Sequence, residues 1–184
     1  MFQMVRSAAM AAALCLPLAL PSPAAAQSAP DTEPLVSALV ADFAQAFDSA
    51  DYETVFAMLP PGIAAHFAKN AGLTMAEFQV QMGKMTAQIM SSVEIVDFNM
   101  DMEAAVYGTT PSRDYALIPT SITMVTEDKT IEGQSQTVAL SENGSWYLLR
   151  VDTSEQRSLL YELYSDFNGI DIPEGKMEIT TQGQ

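Results

Sequence analysis

Residues 134–152 read QSQTVALSENGSWYLLRVD, from Gln134 to Asp152. Two strand-like runs flank Asn143-Gly144. Asn-Gly between apolar runs favours a type I′ turn, because that turn needs positive φ at both central residues. The spacing predicts a hairpin pairing Gln134–Leu140 with Ser145–Val151. Side chains alternate across a strand, so Tyr147, Leu149 and Val151 share one face, and Trp146, Leu148 and Arg150 the other. A strand apolar on both faces is expected to be buried on both, which predicts a central place for this hairpin in a sheet.

Working outward, Ser154 opens an expected helix over Glu155–Tyr164, with Leu159, Leu160, Leu163 and Tyr164 on its buried side. Residues 167–184 read as an extended tail with Pro173 and Gly175. Upstream, Asp114–Thr126 reads as a strand interrupted by Pro119, which argues for a bulge or an edge position. From Val96 to Val106 apolar and polar residues alternate, as in a long half-buried strand bent near Asp101. Before that the period is helical. Thr74 followed by Glu77 is a capping box opening a helix over Met75–Met90, with Phe78, Met82, Met85 and Ile89 in a stripe. Shorter helices are predicted over Ile63–Asn70 and Asp51–Leu59, the latter ended by Pro60-Pro61-Gly62. A helix over Pro34–Ser49 carries Val36, Leu39, Val40, Phe43 and Phe47. The expected organisation is a leader over 27–33, one α+β domain over 34–166 and the tail.

Residues 1–26 are expected to be a secretory signal peptide: Arg6, then an apolar run from Ala8 to Leu20, then Ala24-Ala25-Ala26 before Gln27. Cys15 follows Leu14, where a lipoprotein signal needs a small residue. The expected location is periplasmic or secreted. Without Arg6 the chain has seven Lys and Arg against 23 Asp and Glu. That imbalance repels phosphate backbones and anionic lipid, so nucleic acid is excluded as a partner. No membrane insertion of the mature chain is expected. With no cysteine beyond residue 15, disulfides do not staple the domain.

Helices first and antiparallel strands second predict an α+β fold with helices on one face of a curved sheet. Three features appear in order: Ser49-Ala50-Asp51-Tyr52 entering the second helix, Met58-Leu59-Pro60 closing it, and the Glu142-Asn143-Gly144-Ser145-Trp146-Tyr147 hairpin. From Leu35 to Val151 the chain thereby resembles the nuclear transport factor 2-like superfamily. That is the cone-shaped fold shared with ketosteroid isomerases and polyketide cyclases. It departs from the pattern by lacking an evident short strand after the second helix and by adding a C-terminal helix and tail. The resemblance implies an antiparallel cone with a pocket, and either ligand binding or isomerase, dehydratase or cyclase chemistry.

The chemistry-bearing residues are sparse. His66, the one histidine, is a weak acid/base candidate with no second histidine to partner it. Asp97-x-Asn99-x-Asp101-x-Glu103 mimics the opening of a calcium loop. Met102 and Gly108 stand where its sixth and twelfth positions need glycine and glutamate. Zinc lacks ligands, so no metal and no cofactor are expected. The isomerases carry a tyrosine on the first helix, where this chain has Phe43 and Phe47. The candidate ligand-binding set is Phe56, Phe78, Met82, Tyr115, Trp146 and Arg150, with Arg150 placed to meet a carboxylate at a pocket mouth. The numerous methionines suit an irregular core or an adaptable apolar cavity.

The functional expectation is an exported, non-catalytic domain that binds a small apolar or acidic molecule, or a partner protein. The alternatives are an isomerase, dehydratase or cyclase of the same fold, or a periplasmic lipid carrier. A monomer or a homodimer is expected. Tyr147, Leu149 and Val151 should face Phe43, Phe47, Phe78 and Met82, leaving Trp146 and Leu148 for the C-terminal helix to cover.

Overall fold

Short polar caps and prolines divide the N-terminal half into four helices, and the computed structural model, which describes residues 32–181, shows where each begins. Helix α1 spans Thr32–Asp48, α2 Tyr52–Ala57, α3 Pro61–Ala71 and α4 Met75–Met90. Helix α2 is capped by Asp51, whose carboxylate accepts from the Thr54 N–H and hydroxyl. Pro61 occupies the first turn of α3, where its missing N–H costs nothing. The Thr74–Glu77 capping box of α4 is present in both directions. The expected signal peptide and residues 27–31 of the expected leader lie outside the described residues. Thr32 and Glu33, also assigned to that leader, already form the first turn of α1.

The strands are β1 (Glu94–Met100), β2 (Val106–Thr109), β3 (Asp114–Val125), β4 (Lys129–Glu142), β5 (Ser145–Val151) and β6 (Lys176–Thr181). All pairings are antiparallel. The path runs β1-β3-β4-β5, with β2 also on β3 and β6 also on β4. The sheet curls, and helices pack on it. The fold is the expected α+β architecture with helix α5 (Ser154–Leu163) after the hairpin.

The single long strand expected over Val96–Val106 is two strands. The Asp101 carboxylate accepts from the N–H groups of Glu103 and Ala104, a local turn that competes with the ladder. Pro119 sits opposite this break, and its carbonyl accepts from Asp101 N–H at 2.8 Å. The missing proline N–H therefore faces the gap between β1 and β2, where no ladder partner is required. The acidic run that mimicked a calcium loop is thus a strand end followed by a self-capped turn. Among the described residues no group of three His, Cys, Asp or Glu is placed to hold a metal ion.

The turn forms as predicted, with Asn143 at φ 51° and Gly144 at φ 80°, but the strand paired with Ser145–Val151 is Gln136–Glu142 and not Gln134–Leu140, because Gln134 pairs with β6. The position of the hairpin is also different: β5 lies at an edge of the sheet, not at its centre. It is buried on both faces because helices cover both. The edge itself is closed by a hydrogen bond from Leu148 N–H to the Met58 carbonyl at 2.9 Å, just past α2.

The assignment of faces is also reversed. Leu148, Ala139, Ala116 and Ile118 pack with Val36 of α1, and Leu39, Val40, Phe43 and Trp146 join them. Leu149, Val151, Val138 and Leu140 pack with Ile63 of α3, Leu160 and Tyr164. Helix α5 therefore covers Tyr147, Leu149 and Val151, and α1 covers Trp146 and Leu148. Phe78 and Met82 pack instead with Ala64 and Ala68 between α3 and α4. The residues after 166 are part of the core. Phe167 and Ile172 are fully buried, and β6 pairs with Lys129–Gln134 of β4.

Candidate functional site

The face of the sheet under α1 does not close completely. A cavity of about 370 Å³ lies between that face, the first three helices and the start of α5. Such a volume falls within the ~300–1,000 Å³ of ordinary small-molecule pockets. Its wall on one side is aromatic. Phe43 and Phe47 lie one helical turn apart on α1 with ring centroids at 5.9 Å, and Phe98 of β1 approaches Phe47 at 4.8 Å. Val55, Phe56, Leu59 and Ile63 form the opposite wall, and Phe67, 40% exposed, stands at the rim. Met100, Leu148, Leu149 and Leu159 complete the apolar lining.

The polar lining is confined to Thr137, Arg150, Asp152 and Gln156. Arg150 Nε donates to Asp152 Oδ1 at 2.7 Å and to Ser135 Oγ at 3.0 Å. The Gln156 side-chain carbonyl accepts from the N–H groups of Asp152 and Thr153, as the second half of a capping box with Thr153. Thr137 is hydrogen-bonded to Thr120 across β3 and β4 at 2.8 Å. The helix start thus fixes Gln156, which holds the Asp152 backbone, and Asp152 aims Arg150.

The cavity gathers only part of the candidate set. Phe56 and Arg150 line it. Phe78 lies behind the wall, with its ring 6.3 Å from Phe56, and Met82 packs beside it. Tyr115 is on the opposite face of the sheet, 5.4 Å from Phe167. Trp146 packs under α1 outside the cavity. His66 is half-buried on α3, hydrogen-bonded to Asn70 at 2.8 Å, and does not line the cavity.

Phe98, Asp152 and Gln156 were missed from sequence. For Gln156 the signal was present: Thr153 with Gln156 three residues on is capping-box spacing. Phe43 and Phe47 sit at i and i+4, which reads as a core stripe and not as a cavity wall.

A second polar cluster lies on the other face. Arg113 Nε donates to Asp166 at 2.8 Å and its guanidinium stacks over the Tyr164 ring at 4.6 Å. Thr110 donates to Asp166 at 2.6 Å, and Tyr164 donates to Glu142 at 2.8 Å. Burial raises Asp166, but the Thr110 hydroxyl and the Arg113 guanidinium outweigh it and hold the carboxyl below its usual range. The cluster joins the C-terminal segment to β3 and β4. Among the described residues no helix is long and apolar enough to cross a membrane.

Comparisons with family models, with curated proteins and with solved structures return no match to this chain.

Proposed function

We propose that this chain is an exported, non-catalytic member of the nuclear transport factor 2-like superfamily that binds a small apolar molecule in the cavity under α1. The observation that carries this reading is the cavity itself. It is large enough for a ligand, walled by Phe43, Phe47, Phe56 and Phe98, and lined by apolar side chains except at one end. The order of helices, curled antiparallel sheet and Asn143-Gly144 hairpin supports the superfamily assignment. The tripartite pattern of residues 1–26 supports export, and N-terminal sequencing of the secreted protein should find Gln27.

Catalysis of the isomerase kind needs an acid or base free to exchange protons beside the substrate. The cavity has one carboxylate, Asp152, and it is ion-paired with Arg150. His66 lies outside. Binding without turnover fits this lining better.

The test is titration of the purified protein with N-phenyl-1-naphthylamine, an uncharged probe that brightens in apolar surroundings. One saturable site is expected. Val55→Trp, which fills the cavity from α2, should abolish it. Unsaturable binding, or binding that Val55→Trp leaves intact, refutes the reading. Native mass spectrometry of protein from its own host should show a retained small molecule.

A further inference from the structure

The polar end of the cavity has a surplus of hydrogen-bond donors. Of the acceptors there, Asp152 Oδ1 takes the Arg150 Nε–H, Gln156 Oε1 takes two backbone N–H groups, and Asp152 Oδ2 stands against the remaining donors. The Thr137 hydroxyl is engaged with Thr120. Among the described residues neither Nη of Arg150 nor the Gln156 side-chain amide nitrogen is hydrogen-bonded to protein, and none is sealed from solvent. Because Asp152 and Ser135 hold Arg150 through Nε, the fork of Nη1 and Nη2 is left for an incoming group. That fork matches the two oxygens of a carboxylate, and charge-assisted bonds of this kind are roughly twice as strong as neutral ones.

From this geometry we infer that the ligand is an amphiphile with one carboxylate. Its head is held end-on by Arg150 with Gln156 beside it, and its apolar body lies among Phe43, Phe47, Phe56 and Phe98. The inference rests on the binding function proposed above and specifies its ligand class. Size limits the body: about 370 Å³ lies near the lower end of the ~300–1,000 Å³ range of small-molecule pockets. A medium-chain fatty acid or an arylalkanoate fits this limit, and a two-chain lipid does not. The side chains of Arg150 and Asp152 are 29% and 31% exposed, so the head sits at the mouth and enters last. The Arg150–Asp152 pair is close to neutral overall, so selectivity comes from directed donors and not from a positive field. A single carboxylate meets far less repulsion from the acidic surface than a polyanion or an anionic bilayer does, and at physiological salt charges beyond ~8 Å are largely screened.

Calorimetric titration with decanoate, 1-decanol and decyltrimethylammonium tests the inference on the purified protein. Decanoate should bind at least tenfold more tightly than decanol, and the ammonium more weakly than either. In Arg150→Met, which keeps the packed stem, the decanoate-to-decanol affinity ratio should fall to within twofold of one. Arg150→Lys, which restores charge without the fork, should recover part of it. Melting curves of both variants check that the fold persists. Equal affinities for decanoate and decanol in the native protein would overturn the carboxylate assignment and leave the apolar cavity standing. Failure of both, together with N-phenyl-1-naphthylamine, would overturn the cavity reading as well.

Discussion

Tyr164 donates its hydroxyl to the Glu142 carboxylate across 2.8 Å, and the same oxygen accepts the Gly62 N–H at 3.0 Å. One buried phenol thereby joins the end of α5, the end of β4 and the first turn of α3. A Cβ on Gly62 would stand 2.8 Å from that oxygen, so the approach depends on a glycine there. Tyr164→Phe should cost about 1–3 kcal/mol, because it strands the Gly62 N–H as well as removing a hydrogen bond. Urea denaturation at neutral pH measures it, and a loss below a few tenths would show that solvent replaces the phenol.

The same contact makes stability sensitive to alkali. Burial, then the bond to Glu142, raise the Tyr164 phenol far above its ordinary value. An unfolded tyrosine ionises near about pH 10, so above that pH the unfolded state loses a proton that the folded state keeps. Stability from this group is present below about pH 10 and falls as pH rises further. Denaturation midpoints measured between pH 8 and 11 should fall more steeply for the native protein than for Tyr164→Phe. Parallel slopes would disprove the assignment.

Asp166 should act at the opposite end of the pH scale. Its carboxyl is held low in the fold despite its burial, by Thr110 and Arg113. The unfolded group titrates near ~3.9, so its contribution is present above that pH and is lost as pH falls through the lower folded value. Asp166→Asn should therefore destabilise the protein at pH 7. The gap to the native protein should narrow on acidification to pH 3. A gap that stays constant with pH would assign the loss to packing.

Gly144 holds φ 80° in the turn of the hairpin, with nothing within 4 Å of a Cβ built on it. Gly144→Ala should thus cost about 1–2 kcal/mol from backbone strain alone, without a steric clash. Asn143→Gly, at φ 51°, should be near neutral by the same measurement.

Leu160 of α5 is fully buried against Leu149 and Val151. Leu160→Ala should cost about 2–5 kcal/mol. Truncation after Asp152 would also remove the buried Tyr164, Phe167 and Ile172. The truncated chain is expected to be unfolded by circular dichroism, and a folded, soluble product would contradict the two-faced burial of β5.

Local chemistry was legible in the sequence because it acts over a few residues. The Asn143-Gly144 turn, the Thr74–Glu77 capping box, the Pro60-Pro61 break and the change from helical to alternating period all appear where they were read. So does the α+β class, which follows from the order of those elements. The break at Asp101 was only half visible, because a side chain satisfying its own turn competes with a strand pattern of the same polarity. What the sequence left open was which partner each apolar face would meet. The alternation in Tyr147–Val151 states that both faces are apolar, but it is symmetric with respect to α1 and α5. Only the curl of the sheet and the return of the chain through Phe167 and Ile172 to β6 decide that α5 takes Leu149 and α1 takes Leu148. The cavity has the same origin. Arg150 is one cation on a strand until Asp152, its backbone held by the capping of α5, pairs with it beside a space that exists only once α1 and β1 bring Phe43, Phe47 and Phe98 together.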